Sequence, residues 1–177
     1  MTDIPCNTTS RVHSAASAIL RQLGETIDAM SDGDYTSKGA LGASIGQHVR
    51  HTLDHFRTLA DAEPGGDALA YDHRNRGVPV ETDRAAATAE IERILGNLEA
   101  RKDTGPDAEC TVCATITCDG AEADLPSTYA RELWFVTHHA IHHNALIKSL
   151  AHELGITLDE QFGRAPSTLE HDAATNS

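Results

Sequence analysis

RELWFVTHHAIHHNALI, residues 131–147, is the stretch on which the reading of this chain turns. Leu133, Val136, Ala140, Ile147, Leu150 and Leu154 recur at helical spacing. Counting by sevens through Val136 and Leu150 places His143 on that apolar seam, with His139 beside it. His138 and His142 fall on the outer side. Residues four apart stack on one helix face, so His139 and His143 can present two imidazoles to a single ion.

Working outward, Pro126, Ser127 and Thr128 are expected to open this helix and Gly155 to end it. Upstream, Val112, Ala114 and Ile116 alternate with Thr111, Thr115 and Thr117 before Asp119-Gly120, which predicts a short β-hairpin. A helix from about Glu81 to Ala100 carries Ala87, Ile91, Ile94, Leu95 and Leu98 on its stripe. Tyr71 to Val80, with Gly77 and Pro79, reads as an extended connection. Ser44 caps a further helix bearing Ile45, Val49, Thr52, Phe56 and Leu59, which stops before Pro64, Gly65 and Gly66. The first helix covers residues 8–30, and Ser31, Asp32 and Gly33 end it. The expectation is an all-α, up-and-down four-helix bundle with a short β-hairpin between helices three and four. It forms one domain over residues 1–171, and a polar tail over 172–177 is expected to fray.

Composition agrees with helix packing, since aromatic residues are 4% of the 177 residues while Ala, Leu and Ile abound. A formal net charge of -13 with no basic patch argues against nucleic acid as a partner. No apolar run is long enough for a membrane span and nothing resembles a signal peptide, so no membrane partner and a reducing, cytoplasmic setting are expected. The four cysteines, Cys6, Cys110, Cys113 and Cys118, are too few for a disulfide scaffold. Cys110 and Cys113 point to opposite faces of a strand, which disfavours zinc there. Cys110 and Cys118 are expected to be buried beside Val112 and Ile116.

Of eleven histidines, seven fall in two windows: His48, His51 and His55 in the second helix, and His138, His139, His142 and His143 in the last. A third imidazole from a facing helix completes a three-histidine site. Periodicity alone favours His48 or His55 for that role, because His51 sits at the edge of the apolar stripe.

The segments SIGQHVRHTLDHF and RELWFVTHHAIHHNALI resemble the DinB-like superfamily of metal-dependent four-helix bundles, over almost the whole chain. The resemblance implies one histidine from the second helix and an HxxxH pair from the last, which places the metal on His51, His139 and His143. The spacing from His51 to Asp54 also matches that pattern. His48 and His55 then become groups that position a ligand or shuttle protons as catalytic residues.

Three neutral imidazoles bind Zn, Ni or Fe and leave positions open for water, a thiolate or a substrate oxygen. The resemblance implies a metal-dependent enzyme acting on a small-molecule substrate. It would be a thiol S-transferase using a low-molecular-weight thiol cosubstrate, or a hydrolase. The alternative is a non-catalytic, metal-binding, stress-associated dimer. A homodimer is expected in either case. In YDHRNRG, Tyr71 can line the pocket and Arg74 and Arg76 can clamp an anionic substrate, or the arginines can pin the loop to acidic residues. Glu132 suits a helix N-terminus on dipole grounds alone, and Trp134 suits either a pocket or the core.

Overall fold

The computed structural model describes residues 8–63, 65–73 and 77–175. Its elements are α1 (Thr8–Asp28), α2 (Asp32–Thr36), α3 (Ile45–Asp61), a 3₁₀ turn (Pro79–Glu81), α4 (Arg84–Ala100), β1 (Glu109–Thr115), β2 (Glu122–Thr128), α5 (Tyr129–Glu153) and α6 (Pro166–Thr175).

Local chemistry sets the boundaries. Ser44 Oγ accepts from the Gln47 amide at 3.2 Å while Gln47 Oε1 accepts from the Ser44 amide at 3.1 Å, a reciprocal cap that starts α3. Asp83 caps α4 through the amides of Ala85 and Ala86. The first turn of α5 lacks a side-chain cap, and its amides are met by the loop before β1, Tyr129 donating to Ala108 O at 2.8 Å and Ala130 to Pro106 O at 3.3 Å. α5 ends where Gly155 takes φ +78° and the Ile156 amide reaches back to Ala151 O at 2.8 Å.

α1 packs on α4 and α5, and α3 packs on the same two helices, so α1 and α3 lie diagonally across one core. Leu20, Leu23, Ile27, Val49, Phe56, Ile91, Ile94, Leu133, Val136 and Ile147 fill it. Paired residues give the directions. Arg50 meets Glu81 and Asp61 meets Arg93, so α3 and α4 run parallel. Asp28 meets Thr88, so α1 and α4 run antiparallel. His13 meets Tyr129, so α1 and α5 run parallel. His48 faces His143 while His55 faces Phe135, so α3 and α5 run antiparallel.

This corrects the expected all-α, up-and-down four-helix bundle. Among the described residues there are six α-helices and a two-stranded antiparallel sheet, and consecutive long helices α3 and α4 point the same way. A parallel pair cannot be joined by a short turn, because the chain must first travel back along the bundle. That return is made between α3 and α4, where residues 62–63, 65–73 and 77–83 are described. Leu69 attaches the return to β1, its amide donating to Thr111 O at 2.8 Å and its carbonyl accepting from Cys113 N at 3.0 Å. Asp72 Oδ2 accepts from Thr115 N at 3.2 Å.

Four smaller expectations are also corrected. Ser31, expected to end the first helix, caps α2 through a reciprocal bond with Asp34. Pro126 and Ser127 belong to β2, where they pair with Thr111 and Cys110, and α5 begins only at Tyr129, with Thr128, the last residue of β2, at its N-cap. Ile116 is 59% exposed and Cys118 is exposed, because β1 ends at Thr115 before reaching them. Asp172–Thr175, expected to fray, are helical in α6. Before α6 the chain folds back over α5: Phe162 is fully buried, and Lys148 Nζ donates to Glu160 O at 2.6 Å. Among the described residues no helix is long and apolar enough to cross a membrane.

Candidate metal centre

α3 and α5 face each other over several turns, and His48, His51, His55, His139 and His143 meet in the groove between them. One nitrogen each from His51, His139 and His143 lies within 4.8 Å of the other two. His51 Nε2 and His139 Nε2 are 3.0 Å apart. Two nitrogens bound to one tetrahedral zinc lie roughly 3.3 Å apart, given bonds of about 2.0–2.1 Å. That pair is already near the separation an ion requires, and the His143 nitrogen lies within 4.8 Å of both. All three side chains are half-buried, so one side of the cluster stays open to solvent. Burial, and then the neighbouring imidazoles His139, His48, His142 and His55, lower the His143 pKa to about 3. It is thus neutral at physiological pH, as an ion requires. Burial, and then His142, also lower His48.

The remaining predicted residues take distinct places. His55 is buried, and its Nδ1 donates to His51 O at 3.0 Å. Its ring stacks on His139 at 4.2 Å and on Tyr71 at 5.2 Å. His48 sits one turn before His51 and faces His143 across the groove. Tyr71 walls the site behind His55, and its hydroxyl donates to Glu132 Oε2 at 3.0 Å. Burial, and then Glu132, push the Tyr71 hydroxyl well above its ordinary pKa, so it stays a donor. Arg74 and Arg76, the expected clamp, lie outside the described residues.

Glu132 is more than a favourable charge at a helix start. Its carboxylate is fully buried and also accepts from Ser127 Oγ at 2.5 Å and Arg131 Nη1 at 2.6 Å. It anchors β2, the return segment and α5 at one point beside the histidines. Sequence offered one signal for this, a carboxylate on the apolar side of α5 one position before Leu133. Phe135, with the Arg131 guanidinium 5.4 Å above its ring, completes the wall and was not anticipated. Asp54 is buried and pairs with Arg50 at 3.0 Å and Arg57 at 2.6 Å, and Arg50 continues to Glu81 at 2.8 Å. These bonds tie α3 to the segment leading into α4. Trp134 is exposed.

Cys110 and Cys113 lie opposite Ser127 and Asp124, on opposite faces of the hairpin. Burial, and then Glu132, raise the Cys110 thiol pKa, while a hydrogen bond to Glu122 raises that of Cys113. A separate cavity of about 640 Å³ opens at the hairpin end of the bundle, lined in part by Leu59, Leu69, Arg101, Cys110, Ser127 and Tyr129.

No family model matches the chain, and no solved structure matches it. Over 104 residues it is 40% identical to a curated protein of Rhizopus delemar named FK506-binding protein 5. That match covers 58% of this chain and 27% of the relative, so the similarity reaches only about a quarter of that protein's length. The finding overturns the DinB-like resemblance. The thiol-transferase, hydrolase and stress-associated-dimer readings drawn from it fall with it, and so does a metal-binding label taken from family alone. The physical reason is that two short histidine stretches report which helix faces meet, whereas similarity over 104 residues reports descent. What the chain shares by sequence is part of a protein named for binding FK506.

Proposed function

We propose that the groove between α3 and α5 is an ion site in which His51, His139 and His143 hold one divalent transition-metal ion. Zinc, nickel and iron all accept three imidazoles. The observation that supports this is the convergence of three donor nitrogens within 4.8 Å, from α3, whose start is capped by Ser44, and α5, both packed into one core. A bound ion would supply Lewis acidity, and three imidazoles leave part of its coordination open. The chain's own part is to keep His143 neutral, and to wall one side with Tyr71, His55 and Phe135.

The test is elemental analysis after dialysis of metal-free protein against Zn2+, Ni2+ or Fe2+. One ion per chain is expected, with loss of that ion in His51→Ala, His139→Ala and His143→Ala. Full retention by any of the three variants removes that residue from the site, and retention by all three removes the site.

A second reading follows from the 40% identity to the Rhizopus delemar protein, whose name states FK506 binding. The cavity of about 640 Å³ beside the hairpin is where such a ligand would seat, with Cys110 on its wall. Titration calorimetry with FK506, with protection of Cys110 from alkylation as a second readout, tests it. Absence of both heat and protection ends that reading.

A further inference from the structure

We infer that His48 is a positioning residue that holds the His143 ring through Nδ1, so that Nε2 is the nitrogen His143 offers to an ion. This rests on the three-histidine site proposed above and adds which atom binds and what orients it.

His48 Nδ1 and His143 Nδ1 lie 3.1 Å apart, with ring centroids 5.4 Å apart and planes inclined by 44°. At that separation one nitrogen carries the hydrogen and the other the lone pair. Two arrangements exist. If His48 donates, the proton of neutral His143 sits on Nε2, and neither of its nitrogens is free for an ion. If His143 donates from Nδ1, its Nε2 is bare, and His48 keeps its own hydrogen on Nε2. Only the second arrangement makes His143 a ligand while the bond persists. Partners of this kind fix the tautomer and raise the basicity of ligating histidines.

Two further observations separate His48 from the ligands. The donor nitrogens that converge within 4.8 Å belong to His51, His139 and His143, and His48 is not among that group. His48 stands on α3 one turn before His51, and its hydrogen bond and ring contact are to His143. His55 is held in another way, by its Nδ1 bond to the His51 carbonyl and by stacking on His139.

The experiment has two arms. In metal-free wild-type protein, ¹⁵N NMR of the imidazoles should report His143 as the Nδ1–H tautomer. The Nε2–H tautomer at His143 overturns the inference without any metal being added. In the second arm, Zn2+ affinity is measured by chelator competition and the Co2+ visible spectrum is recorded. His48→Leu should weaken Zn2+ binding about 10–100-fold. His48→Asn, whose side-chain oxygen can accept near the position of Nδ1, should return to within a few-fold of wild type with a wild-type Co2+ spectrum. Affinity unchanged in His48→Leu, or no recovery in His48→Asn, overturns the role of His48 while leaving the ion site standing. A wild-type protein that takes up neither ion overturns the site itself.

Discussion

Glu132 joins three segments of the chain, and its loss is felt in all of them. Its buried carboxylate accepts from Tyr71, Ser127 and Arg131, so Glu132→Ala leaves three donors without their acceptor. Arg131 is 65% exposed and can turn to water, so the expected cost is about 2–3 kcal/mol, less than for a fully buried pair. Urea unfolding reads it as a lower midpoint with unchanged slope. His143 gives a pH prediction. Its folded pKa of about 3 lies below the unfolded value of 6.5, so between those values the unfolded chain binds the proton that the folded chain refuses. Stability of the metal-free protein therefore falls as pH drops from 6.5 toward 3. Thermal melts across that range should show a shallower pH dependence in His143→Asn than in wild type. At this scale the sequence was legible where a pattern repeated. The HxxxH pair follows from helix periodicity alone, whereas the burial of Glu132 depends on Ser127 and Tyr71, which arrive from other segments.

Among the elements, α3 is placed by a close approach at its start. A Cβ built on Gly46 would lie 2.1 Å from Glu81 O and 2.7 Å from the Tyr35 ring. The Tyr35 hydroxyl in turn donates to Val80 O at 2.7 Å, so the 3₁₀ turn cannot move away freely. Gly46→Ala should therefore destabilise the protein by about 1–3 kcal/mol, even though alanine is the better helix former by up to about 1 kcal/mol. The same change should lower ion affinity, since α3 carries His51, and guanidinium unfolding with Zn2+ titration checks both. Helix existence was readable from apolar spacing and from Ser44. The parallel course of α3 and α4 was not, because periodicity within a helix carries no information about the direction of its neighbour. A clue lay in the length of the connection over residues 62–83, which exceeds what an antiparallel turn requires.

Across the whole molecule, stability is unevenly shared. Phe162 is fully buried after α5, and Gly163 has φ +71° with its Cβ position 2.7 Å from the backbone of Asn144 and Ala145. No residue of α6 is buried. Phe162→Ala should cost about 3–5 kcal/mol. Removal of residues 166–177 should cost about 0.5 kcal/mol or less. Equal losses in the two variants, read by thermal unfolding, would contradict this division. The sequence by itself determined the long helices, the hairpin's alternation and the two histidine clusters, because each follows from the period of one local element. Only the tertiary structure decided that α3 and α4 run parallel, that Glu132 anchors the wall of the site, and that His51 stands nearer the α5 pair than periodicity suggested. Those features depend on the register between segments far apart in the chain. That register is set by core packing, by the return segment joined to β1, and by the close approach at Gly46.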